Sequence, residues 1–330
     1  MTRHRPGPKP RARRFALVAT LALALGSGCG PAAPPRMPGA VAPLAPRIVR
    51  VGTPDGRGRV REMPVEQYVL ASVLTEIAPT GADRAAARRV FEVQAIVART
   101  YATANLGRHA SQGFDLCDST HCQLVDTGRL STSPWRDVAR DAVNATAAVV
   151  LTYQGRPIQA VFHADCGGHT SAADAVWAGT PVAYLTGRPD DLPRGARHQV
   201  WTVAATGRQL AEAVARHGGP SPGDDVSRVD VLERDGAGRV VRLTLQGTRQ
   251  VTLRGAEFRT ALSAALGPRG LRSTLFTVSR AGGRFVFEGR GFGHGVGLCQ
   301  AGALARARAG QSPRDILAFY YPGAVLTRSR

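Results

Sequence analysis

Lysine is almost missing from this chain. Of the 43 basic residues among 330, all but Lys9 are arginine, and only 24 acidic residues oppose them, leaving a formal net charge of +19. A body this basic suits an anionic partner such as nucleic acid, a lipid surface or the cell wall. Aromatic residues are scarce too, at 6%. No basic run is interleaved with them, so no nucleic-acid partner is expected. Long apolar runs are absent as well: the N-terminal one, residues 15–25, is too short to span a bilayer. No internal repeat is present.

What the N-terminus does contain is a basic segment over residues 1–14, that short apolar core, and small residues leading to Cys29. This is the pattern of a secretory signal peptide over residues 1–28. The small residues before Cys29 resemble a lipoprotein cleavage box, so Cys29 is the expected lipidation site. Residues 29–46 are then a Pro/Ala-rich linker, and residues 47–330 form the body. An exported protein is expected, either a membrane-anchored lipoprotein or one on the periplasmic or cell-wall side of the cytoplasmic membrane. Four cysteines remain after Cys29: Cys117, Cys122, Cys166 and Cys299. They permit two disulfides, in three pairings, or metal ligation.

Along the body, RIVRV (47–51) reads as a strand and Pro64 opens a helix running to Ile77, where Pro79 stops it. At 100° per residue Glu76 falls close to the middle of that helix's apolar face, in line with Val65 and Val69. A carboxyl group buried there gains a raised pKa, which suits a general acid; a frayed last turn would instead release it to solvent. A second helix spans residues 85–106, with Gln94 and Arg99 on it and Gly107 as its stop. From Ala147 the pattern turns to strands, with a hairpin through Gln154-Gly155 and a meander over residues 226–255. A short helix follows at 256–266, then strands at 275–278 and 284–290, and Ser312 caps a last helix. The fold class expected is α+β, with helices near both ends of the body around a central, mostly antiparallel β region.

Two loops carry chemistry. In HASQGFDLCDSTHCQ, His109, Cys117, His121 and Cys122 crowd together, and thiolates with imidazoles are zinc ligands. A disulfide explains these cysteines equally well but leaves the histidines unexplained. Near the C-terminus GRGFGHGVGLCQAGA (289–303) places six glycines around His294. No frame of it gives G-x-G-x-x-G and there is no G-K-[ST], so the phosphate cradles of nucleotide sites are excluded and no organic cofactor is expected.

Glu76 at the end of its helix, VQAIVARTYA, DLCDSTHCQ, FHADCGGHT followed by VWAG and PVAYL, LRSTLFTV, and FEGRGFGHGVGLCQAGALARARAG with ILAFYYPG together resemble the stage II sporulation protein D family, which includes the amidase-enhancer protein. The resemblance covers residues 47–326. It implies a peptidoglycan lytic transglycosylase that cuts the bond between N-acetylmuramic acid and N-acetylglucosamine in strands already stripped of peptides. Glu76 is the residue matching the catalytic glutamate. A structural zinc on His109, Cys117, His121 and Cys122 is implied by the members that bind it. Cys299 departs from the family pattern, which commonly has serine there. With Cys166 it forms a disulfide or completes a metal site.

In this reading one carboxyl group does two jobs, donating to the glycosidic oxygen and then taking the proton of the muramic acid 6-hydroxyl as a 1,6-anhydro ring closes. No second acid is found in a matching motif, as a hydrolase would need. The glycine-rich loop lets sugars lie against bare backbone, with His294 and Gln300 as donors and Gln94 and Arg99 as further positioning candidates. His294 serves equally well as a structural tie. The expected partners are glycan strands, an N-acetylmuramoyl-L-alanine amidase and the membrane through the lipid anchor. The alternatives are a non-catalytic wall-binding protein that activates an amidase, and a zinc hydrolase.

Overall fold

The computed structural model describes residues 47–191, 198–267 and 270–328. The signal peptide, Cys29 and the linker expected over 1–46 lie outside the described residues. Strand Ile48–Gly52 lies between an antiparallel neighbour, Arg61–Pro64, and a parallel one, Leu116–Cys117. Pro64 then caps α1 (Val65–Glu76) from outside its first turn, where its missing N–H costs nothing. Val65, Tyr68, Val69, Ser72 and Val73 turn inward, and Ile77, extended, ends the helix. Next comes α2 (Arg84–Ala104), whose N-cap Asp83 accepts the Ala86 N–H.

Helix α2 is the axle of the first core. Helix α3 (Arg136–Ala145) packs on it, and so does the hairpin Val149–Tyr153 with Arg156–Pro157. Gln154 and Gly155 turn that hairpin, both with positive φ (50° and 75°), as a two-residue loop matched to strand twist requires. The chain then leaves for a second core and comes back. The second core joins the meander Arg228–Arg234, Val240–Gln246 and Gln250–Arg254 to the sheet Phe276–Ala281, Arg284–Arg290 and Val200–Ala205. Two helices cover these sheets, α4 (Gly207–Arg216) and α5 (Gly255–Leu266), around buried Phe258, Phe276, Phe285 and Phe287. Burying each of these rings stabilises the lobe by about 2 kcal/mol. The return leg is the glycine-rich loop, which feeds α6 (Gln300–Arg308) and α7 (Pro313–Tyr320) back onto α2, and strand Val325–Arg328 adds antiparallel to Val149–Tyr153 of the hairpin.

The α+β class is the one expected. Helices α3 and α4 are additions to it, and two short parallel pairs join the antiparallel ones: Leu116–Cys117 on the first strand and Leu298–Cys299 on Phe162–His163. All described residues fall within one compact unit, Ala42–Arg330, that contains two hydrophobic cores. No helix among the described residues is long and apolar enough to cross a membrane.

Candidate functional site

Glu76 is the last residue of α1 and is half-buried. Its Oε1 accepts the backbone N–H of Leu124 at 2.7 Å, and Oε2 has no hydrogen-bond partner among the described residues. Burial raises the carboxyl from 4.5 to about 7, against the pull of the Leu124 N–H, and no neighbouring charge contributes. The group therefore crosses between acid and carboxylate near neutrality.

Leu124 is held by its neighbours. Gln123, buried beside it, accepts from Ser72 Oγ of α1 at 3.0 Å and donates to the Ala98 carbonyl of α2 at 3.2 Å. Immediately before it stand His121 and Cys122. Cys122 Sγ lies 3.3 Å from His109 Nε2 and 3.7 Å from His121 Nδ1, and Cys117 Sγ lies 3.6 Å from His121 Nδ1. A tetrahedral zinc with ordinary bond lengths sets sulfur–nitrogen edges of ~3.6 Å, so these donors fit the ion. His109 Nδ1 meets Gln112 Oε1 at 2.5 Å, the outer-shell partner that orients a ligating imidazole. Four protein donors leave no open position, which suits a structural site. Burial pushes the Cys122 thiol up to about 12 and lowers the His121 imidazole.

Sequence reasoning missed three members of this neighbourhood: Gln123, the Leu124 N–H and Tyr68. Tyr68 is fully buried and its hydroxyl has no hydrogen-bond partner among the described residues. Burial, then the nearby Cys122, Tyr101, Glu76 and Cys117, push its pKa up, so the phenol lies within electrostatic reach of both the thiols and the acid. An aromatic on an apolar helix face reads as core, and nothing in the sequence separates it from one.

The glycine-rich loop is wedged between the two cores. Phe292 pairs with Asp165, Val296 bridges to Ser171, the Gly291 N–H donates to Gln199 and the Gly293 N–H to Arg272. His294 is half-buried, and its Nδ1 accepts the Val296 N–H at 3.0 Å. Burial, with the Arg259 guanidinium behind it, lowers this imidazole to about 3, so it is neutral and carries its proton on Nε2. Its ring lies between those of His163, at 5.4 Å, and Trp177, at 5.0 Å, and Trp177 and Phe292 are exposed.

The other candidates divide. Gln300 Nε2 donates to Gln94 Oε1 at 3.5 Å, so this pair ties α6 to α2, and both side chains are buried. Arg99 corrects the expectation of a substrate contact. It is fully buried, bonded to both oxygens of Glu66 at 3.0 and 2.6 Å and to the Val149 carbonyl at 3.0 Å. Its donors are engaged in the fold, because an unpaired guanidinium at that depth would be far more costly than a paired one.

The chain matches the family model described as stage II sporulation protein over residues 54–153, the segment holding α1, α2, Glu76 and the His/Cys loop. An uncharacterised protein of Brachyspira hyodysenteriae is 30% identical over 265 residues, covering 80% of this chain and 67% of that one. The stage II sporulation protein D of Bacillus subtilis is 27% identical over 291 residues, covering 82% and 76%. The chain belongs to the stage II sporulation protein D family. The amidase enhancer of Bacillus subtilis, a further relative, is 27% identical over 286 residues, which cover 72% of this chain and 38% of the enhancer. A domain of unknown function (DUF8618) matches residues 193–297, most of the second core and the glycine-rich loop. The family segment thus carries the candidate acid, and the second match supplies the loop.

Proposed function

We propose that this family member is a lytic transglycosylase acting on peptide-stripped peptidoglycan glycan. The observation that carries the reading is the Glu76 carboxyl, raised to about 7 and fixed through one oxygen only. As an acid it donates its proton to the glycosidic oxygen between N-acetylmuramic acid and N-acetylglucosamine. As a carboxylate it takes the proton of the muramic acid 6-hydroxyl, whose oxygen attacks C1 and closes the 1,6-anhydro ring. A hydrolase would place a second carboxylate within ~10 Å to activate water or attack.

A zinc ion on His109, Cys117, His121 and Cys122 is proposed as structural, adding the charge that locks the thiolates and imidazoles into one loop. That loop continues directly into Gln123 and Leu124, so the donors hold the N–H that orients Glu76. Exposed Trp177 and Phe292, beside the bare loop, offer flat apolar faces on which a sugar ring can rest, with the neutral His294 between the histidine and tryptophan rings. Similarity to the amidase enhancer supports an amidase as partner. Export and a lipid anchor at Cys29 follow from the N-terminal pattern.

Digestion of peptide-stripped glycan tests the proposal. Products ending in 1,6-anhydro-muramic acid, identified by mass spectrometry, are expected; reducing-end muramic acid overturns it in favour of hydrolysis. Glycan binding with no soluble product overturns it in favour of the wall-binding alternative.

A further inference from the structure

A second group of metal-type donors sits away from the His/Cys loop. His163 and Cys299 are register partners in the parallel pair of strands, and Cys166 follows three residues after His163. The three ligand atoms lie within 4.8 Å of one another, and all three residues are buried. His163 Nδ1 meets the Val296 carbonyl at 3.1 Å, so it carries the ring proton and Nε2 holds the lone pair. That Nε2 has no hydrogen-bond partner among the described residues, although the residue is only 4% exposed. An acceptor left unpaired at such depth is costly unless something occupies it.

The two sulfurs accept several N–H groups, and the Cys166 thiol also donates to the buried Asp190 Oδ2 at 3.3 Å, a proton the ion would displace. Cys299 Sγ accepts the Cys166 N–H at 3.2 Å and the Gly302 N–H at 3.3 Å, the latter at the start of α6, while Cys166 Sγ accepts the Gly168 N–H at 3.4 Å. The same arrangement occurs in the first cluster, where the Cys117 N–H donates to Cys122 Sγ at 3.3 Å. The donated N–H groups and the helix start offset part of the burial that pushes the Cys299 thiol up. We propose that His163, Cys166 and Cys299 form a second site, for a soft closed-shell cation, zinc or monovalent copper. Two thiolates and one imidazole are the donor set such ions select. With zinc the two thiolates balance the ion, so the buried Arg239 beside them faces no added charge.

Two neighbouring arrangements are less suited. Asp165, Cys166 and His198 also lie close together, but Asp165 already holds His198 Nδ1 at 2.6 Å and the Gln199 N–H at 2.7 Å. A Cys166–Cys299 disulfide would use both sulfurs and leave His163 Nε2 as empty as before. The ion instead joins all three groups, and it would pin the end of the glycine-rich loop to the segment beneath it.

The test is metal stoichiometry on the full chain, which does not depend on the glycan reading. Protein purified under reductant is stripped with chelator and titrated with zinc alone, and in a parallel anaerobic arm with monovalent copper. The comparison is with Cys299→Ser, which keeps a helix N-cap and places there the residue the family resemblance expects. One ion fewer per chain is expected in Cys299→Ser than in the wild type, in either arm, with Cys122→Ser still retaining the ion of the second site. Equal stoichiometry in wild type and Cys299→Ser overturns the proposal. So does a non-reduced wild-type mass lower by two hydrogens with Cys166 and Cys299 resistant to thiol labelling, which identifies the disulfide.

Discussion

The Leu124 N–H donates to Glu76 Oε1 at 2.7 Å, a contact that spans 48 residues of sequence and joins the end of α1 to the loop after the His/Cys cluster. Glutamine at position 76 keeps an acceptor for that N–H and loses only the exchangeable proton. Glycan cutting by Glu76→Gln should fall by about 10²- to 10⁴-fold with binding retained, measured by product release and by co-sedimentation with glycan. A variant as active as wild type would remove Glu76 from the chemistry.

The same carboxyl makes stability depend on pH. Its folded pKa, about 7, is above the ordinary 4.5, so the folded state binds its proton more tightly than the unfolded chain does. The protein is therefore undisturbed below 4.5, loses stability as pH rises to 7, and carries the full cost above it. The shift corresponds to at most about 3 kcal/mol, and solvent at a half-buried group reduces it. Glu76→Gln should be more stable than wild type by ~1–2 kcal/mol at pH 8 and no different at pH 4, read from denaturant unfolding. Cutting by the wild type should decline as pH rises past 7.

Arg99 and Glu66 make a different prediction. Removing the guanidinium strands Glu66, which also accepts the Ala148 N–H at 3.3 Å, and the Val149 carbonyl. Arg99→Met should cost about 3 kcal/mol in unfolding, while KM for glycan on the folded enzyme stays within about twofold. A large rise in KM without loss of stability would restore Arg99 to the substrate site.

For the first cluster, a zinc-loaded chain treated with chelator should lose ~2–4 kcal/mol of stability. Cutting should slow through kcat rather than KM, because what loosens is the aim of Glu76. Unchanged melting on removal of the ion would show that these donors contribute nothing to the fold.

Much of this was readable beforehand, for identifiable reasons. Strand Arg284–Arg290, the meander and α7 with its Ser312 cap each declare themselves locally, through alternation, turn residues or a capping pattern. Glu76 was legible because a carboxyl on an apolar helix face breaks its pattern. Arg99 was not: its partner lies 33 residues earlier, and on a helix a solvated arginine and a paired one look alike. The Leu124 N–H has no side-chain signature at all. Helix α4 was missed because ten residues of mixed Ala, Arg and Gln between strands show too few turns for periodicity to settle.

In the glycine-rich loop, residues 291, 293, 295 and 297 alternate with side-chain-bearing ones, and all four have positive φ. At Gly295 a Cβ would run into the Arg239 guanidinium, and at Gly297 into the Val161 carbonyl. Half the positions of this turn are thus closed to every other amino acid. Side-chain variation along this turn is therefore confined to positions 292, 294 and 296, and of these only Phe292 reaches well into solvent.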